Sequence, residues 1–88
     1  MIITLKGQLQ ALADQSQIDT QLVSGESLRA LIQRVAINIS DEARKLILDD
    51  SGDVRASLFV ALDGEHIRDL DQPAGGSELL LMPPMAGG

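Results

Sequence analysis

The chain has 88 residues, 13 of them acidic and 7 basic, for a formal net charge of −6. It has no cysteine, so disulfides, thiolate metal sites and thiol nucleophiles are excluded. With no basic stripe to overcome phosphate repulsion it is expected to bind no nucleic acid, and its acidity suits a partner with a basic face. Apolar runs fall short of membrane-spanning length and the start, Met1-Ile2-Ile3-Thr4-Leu5-Lys6, lacks the regions of a signal peptide. A cytoplasmic protein with no membrane association is therefore expected. The length predicts one domain, residues 1–88, with a thin core and little room for a deep substrate pocket. Phe59 is the only aromatic residue, so Leu, Ile, Val and Ala must build that core.

Ile2 to Lys6, rich in β-branched residues and followed by Gly7, reads as a strand. Gln8 to Ser16 mixes polar and apolar residues without a clear period. Ile18, Thr20 and Leu22 alternate with polar neighbours and predict a second strand to Val23, forming an antiparallel hairpin with the first. Ser24 or Ser27 can cap a helix in which Leu28, Leu31, Ile32, Val35 and Ile39 share one face. Ser40 can cap a shorter helix carrying Ala43, Leu46 and Ile47.

Asp49-Asp50-Ser51-Gly52-Asp53 lacks the spacing and closing Glu of a calcium loop and reads as a solvated turn. Leu58, Val60 and Leu62 predict a central strand, and Asp63-Gly64 a tight type I′ turn into a short strand from Glu65 to Arg68. After a turn at Gly75-Gly76, Glu78 to Met82 is apolar enough to suggest a final strand buried on both faces. These elements make an α+β fold, a mixed sheet packed on one main helix.

Catalytic and metal patterns are missing from this order. His66 is the only histidine, has no companion ligand or nucleophile motif, and reads as a surface residue. Adjacent acidic pairs such as Asp41/Glu42 diverge and suit solubility rather than acid–base work. No catalytic residue, metal site or bound cofactor is expected.

The last residues differ in kind. Pro83-Pro84 cannot continue a central strand and favour an extended conformation, and Met85-Ala86-Gly87-Gly88 follows. Residues 83–88 are expected to form a flexible tail, of which Pro84 to Gly88 would span about 16–18 Å when extended. Small residues can enter a narrow channel and present an unhindered carboxylate. Adenylation with ATP would convert that carboxylate into an anhydride open to attack by sulfur or nitrogen. With no cysteine here, any sulfur must come from another protein.

The terminal stretch Leu80-Leu81-Met82-Pro83-Pro84-Met85-Ala86-Gly87-Gly88 resembles the ending of the MoaD/ThiS sulfur carriers, and most of all the small subunit of molybdopterin synthase. The segment from Gly52 through Asp63-Gly64 to Arg68 resembles the family's central hairpin, and the short helix from Asp41 to Leu48 resembles carriers for cysteine biosynthesis. The turn lacks the Asn common in the family, and the first strand lacks the aromatic residues frequent in molybdopterin-synthase subunits.

The resemblance implies a ubiquitin-like β-grasp fold. It also implies that a ubiquitin-activating-type enzyme, using ATP, adenylates Gly88, which then becomes a thiocarboxylate and donates sulfur inside a larger synthase subunit or other acceptor enzyme. By position, Gly87 and Ala86 would thread that site, while Met82, Pro83, Pro84 and Met85 would meet the partner. Phe59 reads either as a further contact or as core. Molybdopterin (molybdenum cofactor) biosynthesis is the leading expectation. Carriers for cysteine, thiamine, thiolated tRNA or a secondary metabolite are alternatives, as are a ubiquitin-like protein modifier and a noncovalent interaction module.

Overall fold

A computed structural model describes residues 1–84. In chain order it contains β1 (Ile2–Leu5), α1 (Gln8–Ala13), β2 (Gln17–Asp19), α2 (Leu28–Ala36), α3 (Asp41–Ile47), β3 (Phe59–Leu62), β4 (Glu65–His66) and β5 (Glu78–Met82). The strands form one sheet in the order β2-β1-β5-β3-β4. β1 and β5 pair in parallel and the other neighbours are antiparallel. Among the described residues no helix is long and apolar enough to cross a membrane.

The core lies on one face of this sheet. Ile3, Leu5, Val60, Leu79 and Leu81 alternate inward from the three middle strands. They meet Leu28, Leu31, Ile32 and Val35, which recur at helical spacing on α2. Each large aliphatic side chain removed from water contributes about 1.5–3 kcal/mol. The Ser27 hydroxyl caps α2 by accepting a hydrogen bond from the Ala30 N–H at 3.1 Å. The helix stops at Ala36, short of the expected Ile39, and the Asn38 side chain caps its end by donating to the Arg34 carbonyl. α3 is capped in the same way by Ser40, with Asp41 and Glu42 at the favourable end of its dipole.

Four expectations need correction. The segment left without a period contains α1, so β1 and β2 are antiparallel but joined through a helix rather than a tight turn. α1 has only six residues and no side-chain cap, and Gly7 enters it at φ 62. Its single buried residue, Leu9, and a bond from the Ser40 hydroxyl to the Leu12 carbonyl hold it in place.

β2 ends at Asp19 rather than Val23. Beyond it the Arg34 guanidinium takes the Thr20 hydroxyl and the Gln21 carbonyl, and Leu22 and Val23 stay exposed. β5, not β3, is the central strand. Finally, β5 is fully buried only at Leu79 and Leu81, because among the described residues no layer covers the sheet's outer face: Leu80 is half-buried, and Glu78 and Met82 are exposed.

Candidate functional site

A small polar device sets the position of β5. The turn after β3 has Asp63 at φ 49 and Gly64 at φ 88, the left-handed pair that a tight two-residue hairpin requires. The Asp63 carboxylate, through Oδ1, accepts hydrogen bonds from the backbone N–H groups of Ser77 (3.0 Å) and Glu78 (2.9 Å). The Asp63 N–H donates back to the Glu78 carbonyl at 2.9 Å. Gly76 makes this close approach practicable, since a Cβ there would lie 2.7 Å from Asp63 Oδ2 and 2.9 Å from Leu62 Cδ1. With the start of β5 fixed, Leu79 sits opposite Leu62 and Met82 opposite Phe59.

That register gathers an apolar patch on the uncovered face. Phe59 and Met82 are neighbours across the strands, each 37% exposed. Half-buried Leu80 continues the patch over buried Ala61, its cross-strand partner, and His66 pairs with Ala61 from β4. The His66 imidazole stacks on the Phe59 ring with centroids 4.6 Å apart and an interplanar angle of 17°. On the other side Thr4 donates its hydroxyl to Glu78 Oε2 at 2.6 Å, which gives the patch a polar margin. An apolar centre with a polar rim is the composition of a contact surface.

The expected site residues therefore divide into two groups. Met82 and Phe59 come together on one face, which resolves Phe59 as a surface residue rather than core. Pro83 is buried and Pro84 exposed. Met85, Ala86, Gly87 and Gly88 lie outside the described residues. His66, read from the sequence as a residue without a role, supports one side of the Phe59 ring. The two-residue turn already held that signal, because it forces Leu62 to face Glu65 and Ala61 to face His66.

Ionic ties hold the framework elsewhere. Arg34 grips Glu26 with two hydrogen bonds of 2.9 Å and binds the 20–21 segment to α2. These bonds keep the Glu26 carboxyl below its ordinary range and raise the Arg34 guanidinium above its own. Asp49 accepts from the Ser51 hydroxyl at 2.6 Å and from the Ser51 and Asp53 N–H groups, which lowers its pKa too. Its Oδ1 thus closes the polar turn after α3 from within.

No curated protein matches the chain in sequence. Among solved structures, SAMP1 from Haloferax volcanii superposes with a TM-score of 0.82 at 21% identity, covering 99% of this chain and 97% of that one. Urm1 from Trypanosoma brucei gives 0.74 at 22% identity, covering 99% and 93%. Urm1 from Sulfolobus solfataricus gives 0.63 at 23%, covering 96% and 100%. These likenesses establish the ubiquitin-like β-grasp fold. The ThiS family model matches residues 3–88, nearly the whole length, and the chain belongs to that family of small sulfur-carrier proteins.

Proposed function

We propose that this protein is a sulfur carrier whose Gly88 carboxylate is the working group, and that its sulfur goes to molybdopterin biosynthesis. The carrying observation is the exposed Phe59–Met82 pair at the root of a segment ending Ala86-Gly87-Gly88, within a family match that extends to residue 88. A ubiquitin-activating-type enzyme would seat on the apolar face while Ala86 and Gly87 thread its active site. One Gly88 carboxylate oxygen attacks the α-phosphorus of ATP and expels pyrophosphate, giving an acyl adenylate. Sulfide delivered by another protein then displaces AMP and leaves a C-terminal thiocarboxylate.

In the acceptor enzyme the same face would dock again, with Met82, Pro83, Pro84 and Met85 at the boundary. Methionine suits such reuse because its flexible thioether repacks against more than one surface. The chain in this reading is cargo and carrier, and the catalytic groups belong to its partners. The Pro83-Pro84 step before the small residues favours the molybdopterin type.

A second reading, a protein modifier joined to lysine through Gly88, is favoured by the fold's likeness to the small archaeal modifier protein 1 of H. volcanii. A strain lacking the gene separates the two. The carrier reading expects lost molybdenum-enzyme activity, restored by the full chain and not by one lacking Gly88. Normal molybdenum enzymes together with higher-mass conjugates of an N-terminally tagged chain would replace it with the modifier reading.

A further inference from the structure

The register sorts charge along the sheet against the sign of the whole molecule. At one end Asp19 and Glu78 flank Ile2, Asp63 occupies the β3–β4 turn and Glu65 opens β4. At the other end, where the C-terminal segment departs, the residues are cationic. The Lys6 N–H bonds the Leu81 carbonyl, which places Lys6 at the level of Met82. The Ile67 N–H bonds the Val60 carbonyl, so Arg68 follows at the level of Phe59. The Arg55 carbonyl accepts from the Leu58 N–H, one residue before Phe59.

Two of these cations share a groove of about 480 Å³ between β4 and the 53–58 loop. Leu58, Val60, Ile67 and Leu70 contribute its apolar lining, and Arg55 and Arg68 its polar rim together with His66. Arg29 and Asp53 stand at the far wall, where Arg29 is held by Asp53 at 2.7 Å and by Asp71 at 2.9 Å. Arg34 and Arg44 are likewise ion-paired. Arg55 donates its Nε–H to the Lys45 carbonyl at 2.7 Å, and among the described residues neither Arg55 nor Arg68 has a carboxylate within salt-bridge distance. Of five arginines, the two without an acidic partner there both line this groove.

We propose that this groove docks an acidic segment, carrying at least one apolar side chain, of the enzyme that activates Gly88. The apolar lining takes the side chain, Arg55 and Arg68 take the carboxylates, and the acidic far end of the sheet turns the carrier so that its tail end approaches first. A net acidic carrier thus meets an acidic partner surface through a local cationic end, opposite to what its overall charge suggests. This rests on the carrier reading but adds a partner chemistry which that reading does not require.

The test is ATP–pyrophosphate exchange by the host's activating-type enzyme with the full chain, over a range of carrier concentrations and salt. The Arg55→Glu/Arg68→Glu double variant should raise the half-saturating carrier concentration by about tenfold or more, leave the saturating rate close to wild type, and abolish the fall in rate with salt. Glu42→Gln, at an exposed position on α3 outside both ends of the sheet, should leave exchange unchanged. Far-UV circular dichroism checks the fold, and Arg68→Glu alone, at an exposed position, serves if the double variant unfolds. Unchanged half-saturation and salt dependence in the charge-reversed variant, with exchange still lost on deleting Gly88, would overturn the groove and leave the carrier reading standing. No exchange by wild type, with an enzyme active on another carrier, overturns both.

Discussion

Gly76 offers a sharp perturbation, because another glycine controls for it. Gly64 and Gly76 both have positive φ, +88 and +100, but a Cβ at Gly64 meets nothing within 4 Å. Gly64→Ala should therefore cost only backbone strain, about 1 kcal/mol. At Gly76 the same strain is joined by the approach to Asp63 Oδ2 and Leu62 Cδ1. The leucine methyl can turn aside. The carboxylate cannot do so without loosening Oδ1 from the Ser77 and Glu78 amides, each worth about 1 kcal/mol net. Gly76→Ala should then cost about 3 kcal/mol, a large share of the roughly 4–13 kcal/mol available to a domain of this length. At about 4–8 °C per kcal/mol, melting should fall by about 4–8 °C for Gly64→Ala and about 12–24 °C for Gly76→Ala. The chain has no Trp or Tyr, so thermal and urea unfolding are followed by far-UV circular dichroism. Equal losses for the two variants, or a smaller loss at Gly76, would refute the view that this close approach sets the position of β5.

Three further outcomes are expected. Leu81→Ala empties a fully buried site on the central strand and should destabilise by about 2–5 kcal/mol in urea denaturation. Phe59→Ala and Met82→Ala, at half-covered positions on the outer face, should cost about 1 kcal/mol of stability or less, yet raise the half-saturating carrier concentration in activation about tenfold. A stability loss with unchanged activation would make them framework residues instead. Glu26, held below its ordinary pKa of 4.5 chiefly by hydrogen bonds from Arg34, stabilises the fold fully above that value and loses the contribution as pH falls through the lowered one. Glu26→Gln should therefore be less stable than wild type at neutral pH, and the gap should close in acid. A gap constant down to pH values well below 4.5 would assign the effect to something other than ionisation.

The parts of the fold that sequence revealed are those with a repeating physical signal. α2 showed its apolar stripe and serine cap, β3 and β4 their type I′ turn, and β5 its bounds from Glu78 to Met82. α1 was hidden because a six-residue helix with one buried side chain leaves no period, and glycine at its start gives no cap signal. The early end of β2 was hidden because Thr20 exchanges its backbone bonds with Met1 and the next carbonyl, that of Gln21, goes to Arg34, distant in sequence. At the site, the sequence named Phe59 and Met82 separately. Only the register, set through Asp63 and Gly76, makes them neighbours and brings in His66. The cationic end of the sheet was invisible to a net-charge count, since it depends on which acidic residues pair with which arginines.

The central claim is covalent, and intact mass tests it most directly. The full chain is incubated with ATP, a sulfide source and the host's activating-type enzyme, beside a chain lacking Gly88. The account predicts a mass increase matching replacement of one oxygen by sulfur, confined to the full chain and dependent on ATP. An unchanged mass, with the same enzyme charging another carrier, would contradict it and leave a β-grasp module that acts through contacts alone.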